Sequence, residues 1–305
     1  VKTLFAVAAA CAAMLSPAFS QSVLKSRETM TLPGYAQALE TSDVDVYADE
    51  GTYEAARNDS AYIFEKLTYE SDGFEVVAYL MRARNGGARA GVVFNRGSYI
   101  RNNAAPELLP LMHRMAREGF TVLAPMYRGS EGAEGRDEMG GADLDDLMAT
   151  AALAGELDSI IDDALYLYGE SRGAMMVYQA IRDGYPARAA AVYGGFTDLE
   201  RLIDSDPERY AGLTQALWPD FDENREAIIA RRSALRFADA LKTPLLIMHG
   251  GRDDDIPLAH ALDMAAALAA RGRDFDLVVY GDDSHVLPGH AEARDGRAAR
   301  WFRAH

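Results

Sequence analysis

From residue 63 onward, short apolar runs of strand length alternate with stretches whose apolar residues recur at helical spacing. Residues 91–94, 120–124, 165–168, 189–193, 244–248 and 276–280 read as strands. Leu108, Leu109, Met112, Met115 and Ala116 mark a helix that Gly119 ends. Further helices are expected over 144–153, 175–181 and 257–271, and around Trp301 and Phe302. Strands this apolar need cover on both faces, so the alternation argues for an α/β fold with a mostly parallel, doubly wound sheet. Ahead of it, the runs 63–69 and 74–81 join at Ser71-Asp72-Gly73 and read as an antiparallel hairpin.

The alternation breaks between Phe196 and Ser233, where an acidic stretch with helical pieces includes Asp198, Glu200, Asp204 and Trp218. An insertion between two sheet strands lies over their carboxyl ends, where open α/β sheets bind ligands. We therefore read about 196–233 as a small helical lid. Residues 21–60 are polar and mixed, with a short helix expected around Tyr53 to Arg57, and form an N-terminal extension. Residues 61–305 then make one catalytic-type domain.

The first twenty residues carry a single charge, Lys2, followed by an apolar run from Leu4 to Leu15 and then Ser16-Pro17-Ala18-Phe19-Ser20. This is the pattern of a secretory signal peptide, with the cut expected after Ser20 and a secreted or periplasmic product. The run falls short of the about 20 apolar residues a span takes, so no stable membrane insertion is expected after cleavage. Cys11, the one cysteine, lies inside this segment, which leaves no disulfide and no cysteine nucleophile. Against 47 acidic residues stand 31 basic ones, a net charge of −16. Phosphate neutralisation needs a basic surface, so a nucleic-acid partner is not expected.

Gly169-Glu170-Ser171-Arg172-Gly173 follows the apolar run 165–168 and opens the helix that continues to Ile181. Strand, tight glycine turn and helix form the setting of a nucleophile elbow, with Ser171 projecting above the sheet. The N–H of Arg172 then lies at a helix N-terminus and can hold an oxyanion. A serine hydroxyl needs a general base, and the base an orienting carboxylate, later in the chain in the order acid, then histidine. Two segments past strand ends answer: His249-Gly250-Gly251-Arg252-Asp253-Asp254-Asp255-Ile256-Pro257, and Gly281-Asp282-Asp283-Ser284-His285. His285 is assigned as base. Spacing alone leaves Asp253, Asp254 and Asp255 unseparated, with Asp253 preferred as orienter. His249 precedes the acid and reads as structural. His113 and His260 fall on helices as surface or packing residues, His290 near the last helix, and His305 at the terminus.

At these residues the sequence resembles the catalytic domain of the prolyl oligopeptidase family of serine hydrolases, over roughly Ile63 to the C-terminus. Tyr69-Glu70-Ser71-Asp72-Gly73 is similar to the family's entry hairpin, Tyr127-Arg128-Gly129-Ser130-Glu131-Gly132 to its R-G-S-x-G segment, and Gly169 to Gly173 to its elbow. His249-Gly250 through Asp253 to Ile256-Pro257 is similar to its H-G-x-x-D-x-x-V-P segment, and that match selects Asp253. The resemblance implies the α/β-hydrolase fold and a second oxyanion donor in Asn95-Arg96-Gly97-Ser98. Some relatives carry a tyrosine where Arg96 stands, so the implied donor here is a backbone N–H of Arg96 or Gly97. Segment 21–60 is too short for the β-propeller that gates the family's peptidases.

The expected function is hydrolysis of a short peptide or amino-acyl amide through Ser171, Asp253 and His285, with an acyl-enzyme and with no metal or organic cofactor. A carboxylesterase using the same residues is the alternative. A non-catalytic binding protein on this fold is a third reading.

Overall fold

A computed structural model describes residues 22–98 and 102–305; the expected signal peptide, 1–20, lies outside the described residues. Nine strands follow in chain order: β1 Leu24–Thr29, β2 Tyr62–Ser71, β3 Phe74–Ala83, β4 Arg89–Asn95, β5 Thr121–Pro125, β6 Ile160–Glu170, β7 Ala189–Tyr193, β8 Leu245–Gly250 and β9 Phe275–Tyr280. They form one sheet in the order β1-β2-β3-β5-β4-β6-β7-β8-β9. β1, β2 and β3 run antiparallel, as do β3 and β5, and every later pairing is parallel.

Strand residues alternate between two cores, as a period-two pleat dictates. Leu165 and Leu167, Ala190 and Val192, and Leu245 and Ile247 face one core, with the helices Leu144–Gly155, Arg172–Arg182 and Ala259–Ala269. Tyr166 and Tyr168, Ala191 and Tyr193, and Leu246 and Met248 face the other, with the helices Glu50–Asn58, Ala105–Arg117 and Ala291–Ala304. The last helix docks through Phe302, stacked on Tyr166 at 4.9 Å and edge-on to Phe120 at 6.0 Å. Such ring pairs add about 0.5–1.5 kcal/mol each beyond burial.

The order of the central strands decides where a ligand can bind. From β4 the helix Ala105–Arg117 leads to β5 on one side, and from β6 the helix Arg172–Arg182 leads to β7 on the other. The connections leave these two neighbours in opposite directions, so a crevice opens at their carboxyl ends, between β4 and β6. Asn95-Arg96-Gly97 and Glu170-Ser171 stand at that crevice.

Two local expectations change. An edge strand not expected from the sequence joins the hairpin: β1, inside the N-terminal extension, pairs antiparallel with β2, with Arg27 opposite Leu67 and Thr29 opposite Glu65. Charged residues on this edge strand conceal it in the sequence while guarding its open side. Arg27 and Arg82 both grip the buried Glu65, at 2.8 and 2.7 Å, which ties β1 and β3 to the strand between them. The strand before the elbow also starts earlier than expected, at Ile160. Its exposed Ile161, Asp162 and Asp163 lie where the register against β4 shifts, and they mask its start.

Residues 196–233 fold as three helices, Leu199–Ser205, Pro207–Leu217 and Phe221–Arg232. Trp218 Nε1 donates to the carbonyl of Glu138 at 2.8 Å, and Arg232 donates to the carbonyls of Met139 and Glu138 at 2.7 and 2.8 Å. These bonds fasten the helices to the loop that precedes the helix Leu144–Gly155.

Candidate active site

Ser171 joins β6 to the helix Arg172–Arg182 with φ 52° and ψ −118°, a conformation side chains rarely adopt. The two flanking glycines make it possible. A Cβ on Gly169 would lie 2.6 Å from the carbonyl oxygen of Gly173, and one on Gly173 would strike the carbonyl of Asn95. The turn thus packs backbone against backbone and lifts the serine hydroxyl out of the sheet.

His285 arrives on the loop after β9. Its Nε2 lies 2.9 Å from Ser171 Oγ, and its Nδ1 lies 2.9 Å from Asp253 Oδ2 and 3.1 Å from Oδ1. The amides of Ile256 and Asp255 donate to Asp253 Oδ1 at 2.8 and 3.0 Å. Burial opposes the charge of Asp253, but hydrogen bonds from His249, His285 and the Ile256 amide outweigh it and hold the carboxyl well below the usual range. An ionised carboxylate only accepts, so Nδ1 of His285 carries the proton and a neutral ring offers Nε2 to the serine hydroxyl. Desolvation pulls the imidazole pKa down, while the hydrogen bond and charge of Asp253 push it up further, so it ends raised.

The loop bearing His285 is anchored at both ends. Asp283 accepts from the Ser284 amide at 2.9 Å and meets His290 Nδ1 at 2.9 Å. From the last helix, Arg294 donates to the carbonyl of Val286 at 2.5 Å.

Three sequence candidates come together in this way: Ser171, Asp253 and His285. Asp254 and Asp255 line the cavity above them, and Asp255 instead pairs with Arg209 at 2.7 Å. His113 meets Asp59 at 2.9 Å, and His260 is buried against Thr197. His305 lies 3.2 Å from Asp274. Arg172 begins its helix beside the serine, and its buried guanidinium pairs with Asp137 at 2.7 Å and Asp143 at 2.6 Å, over the ring of Tyr127. Arg96 is also buried, and donates to the carbonyl of Met126 at 2.8 Å and to Ser130 Oγ at 2.9 Å. Its side chain braces the loop, so only its backbone is left to face a reacting group. Gly97 lines the cavity.

That cavity, about 930 Å³, holds Ser171 and His285 at its floor. Leu202, Tyr210 and Leu213 of the inserted helices line it, together with Asp45, Val46 and Tyr47 from the N-terminal segment. The sequence carried no signal for the latter three. Glu170 also faces the cavity, although it appeared in the elbow motif only as a variable position. Among the described residues no helix is long and apolar enough to cross a membrane, and no group of three or more His, Cys, Asp and Glu is placed to hold a metal ion.

Comparison with known proteins follows the same lines. The uncharacterized peptidase YtmA of Bacillus subtilis is 24% identical over 238 residues, which is 73% of this chain and 86% of that protein. A puromycin-hydrolyzing peptidase of Mycobacterium tuberculosis superposes with a TM-score of 0.65 at 23% identity, over 81% of this chain but only 39% of its own. An acetyl xylan esterase from Paenibacillus sp. R4 gives a TM-score of 0.65 at 15% identity, over 90% of this chain and 100% of its own. These superpositions carry the α/β-hydrolase fold. The model of the prolyl oligopeptidase family matches residues 110–305, a stretch that includes the elbow serine and both loops that meet it. The chain belongs to the prolyl oligopeptidase family and is a serine hydrolase, of the peptidase or esterase kind.

Proposed function

We propose that the protein cleaves peptide or amino-acyl amide bonds with Ser171 as nucleophile, His285 as general base and Asp253 as orienting carboxylate. The observation that carries this reading is the unbroken hydrogen-bond chain from Ser171 Oγ through His285 to Asp253, with 2.9 Å at each link. His285 Nε2 takes the hydroxyl proton as Oγ attacks the carbonyl carbon. The negative charge that develops on the carbonyl oxygen is met by the N–H of Arg172 and a backbone N–H of Arg96 or Gly97. His285 then gives its proton to the leaving amine, and the acyl group stays on Oγ. Water, deprotonated by the same imidazole, releases it. Residues 196–233 act as the lid, and residues 1–20 as a signal peptide that sends the product to the periplasm or outside the cell.

A fluorophosphonate probe tests the nucleophile. Labelling of the native protein and none of Ser171→Ala is expected; equal labelling of both would remove Ser171 from the role.

A carboxylesterase is the second reading. It is favoured by the acetyl xylan esterase, whose whole length superposes on 90% of this chain. Turnover of nitrophenyl esters with anilide turnover at background would select it.

A further inference from the structure

Glu170 precedes the nucleophile, is only 4% exposed, and faces the cavity that holds Ser171. The hydroxyl of Tyr193 donates to its Oε2 at 2.5 Å and that of Tyr47 to its Oε1 at 3.1 Å. Among the described residues these two hydroxyls are its partners, and no cation pairs with it. Other deeply buried carboxylates meet a guanidinium or an imidazole, Asp253 and Asp283 facing His285 and His290. Glu65 is held by Arg27 and Arg82, Asp143 by Arg172, Asp146 by Arg128, and Asp295 by Arg114 and Arg294. A carboxylate removed from water gains from a cation as well as from hydrogen bonds. With roughly four lone-pair sites and two donors, Glu170 keeps acceptor capacity for one.

Its position says where that cation belongs. A Cβ placed on Gly97 would lie 2.8 Å from Glu170 Oε1 and 3.3 Å from Ser171 Cβ, so the carboxylate and the nucleophile flank a single glycine. Those two distances put Glu170 Oε1 no more than about 6 Å from Ser171 Cβ, so a cation on Glu170 lies close to the carbonyl that Ser171 attacks. A bare carboxylate there opposes the oxyanion that builds in the same place, and a seated cation cancels that opposition.

We propose that Glu170 is an ammonium subsite that binds the protonated α-amino group of the acyl residue, so that the preferred substrates are amino-acyl compounds with a free amino terminus. The proposal rests on Ser171 being the nucleophile and names the substrate class of that site.

The test compares alanyl p-nitroanilide with N-acetylalanyl p-nitroanilide at about pH 6.5, below the usual α-amino value of about 7.7–8.0. The native protein should favour the free amine by about tenfold or more in kcat/KM, and Glu170→Gln should cut that preference by about tenfold. Equal rates on the two anilides, a preference for the acetylated one, or an unchanged ratio in the variant would overturn the subsite. If the variant does not fold, alanine amide and N-acetylalanine amide are compared as inhibitors of p-nitrophenyl propionate hydrolysis by the native protein. At least about tenfold tighter inhibition by the free amine is expected, and equal inhibition overturns the subsite. Native protein that takes the fluorophosphonate label on Ser171 yet cleaves neither anilide also defeats the ammonium subsite, while the nucleophile stands. Absence of labelling defeats the nucleophile itself.

Discussion

The imidazole of His249 stands 3.2 Å from Asp253 Oδ2, the same oxygen that His285 Nδ1 meets at 2.9 Å. Its Nε2 also meets the carbonyl of Ile256 at 2.8 Å. A carbonyl only accepts, so this nitrogen carries the proton and shares it between the carbonyl and the carboxylate. Its Nδ1 is buried and makes no hydrogen bond among the described residues. The histidine is therefore oriented for a single purpose, to donate from Nε2 into the turn that holds Asp253.

Replacing His249 with Phe should weaken that turn. A hydrogen bond to a charged group contributes about 1.5–3 kcal/mol. The depressed pKa of Asp253 contributes stability that is present above the ordinary carboxyl value and lost as pH falls through its folded value. Without His249 the folded value moves up towards the ordinary one, and that contribution shrinks. Urea unfolding at neutral pH should show a loss of about 2 kcal/mol, with a flatter dependence on acid than in the native protein. Equal midpoints across the acid range would show that His249 does not act on Asp253.

The pH profile of catalysis follows from His285. Its pKa is raised, with desolvation opposing and Asp253 prevailing. Only the neutral ring can accept the serine proton, so kcat/KM should climb through an apparent pKa above about 6.5. Asp253→Asn removes the strongest of the groups that raise it, ahead of Glu170 and Asp255, and the limb should move to lower pH while the rate falls by about a thousandfold or more. Stability runs the other way. The protonated His285–Asp253 pair contributes fully below the unfolded histidine value, and its contribution fades as pH rises through the folded one. A profile whose midpoint stays fixed in the asparagine variant would separate Asp253 from the base.

The parts of this molecule that were legible in the sequence are those set by local pattern. Period-two apolar runs and helical spacing located the central strands and their covering helices, because both cores depend on that alternation. The elbow was legible because Gly169 and Gly173 answer a backbone collision no other residue would survive, and their spacing records it. What stayed hidden depends on partners far along the chain. Leu24–Thr29 shows no apolar face because it pairs at an open edge. Asp45, Val46 and Tyr47 reach the cavity only because the extension packs on the helix Ala105–Arg117 and carries Tyr47 to Glu170. His249 was read as structural, and its hold on Asp253 becomes visible only when the turn closes residues 249–256. Glu170 looked like filler in a five-residue motif, since nothing local says that two distant tyrosines enclose it.

The backbone at Ser171 carries a cost that function explains and stability does not. At φ 52° and ψ −118° a side chain is held in a region that glycine enters freely. Such conformations cost of order 1–3 kcal/mol, and they persist where the surrounding structure imposes them. Here the imposition comes from the amide of Ser171 donating to Tyr193 at 2.9 Å and from the close approach of Gly169 to Gly173. Ser171→Gly removes the strained side chain together with the nucleophile. Glycine also widens the unfolded ensemble, which offsets part of the gain by about 0.4–1 kcal/mol. The hydrogen bond to His285 is lost as well, but that site opens on the cavity, where water can replace it. The net expectation is an inert protein whose melting temperature rises by about 2 °C, given the shift of roughly 2–4 °C per kcal/mol for domains of comparable size. Ser171→Ala keeps the strain and should show no such rise. If both variants melt together, the elbow is relaxed, and its geometry owes nothing to stored strain.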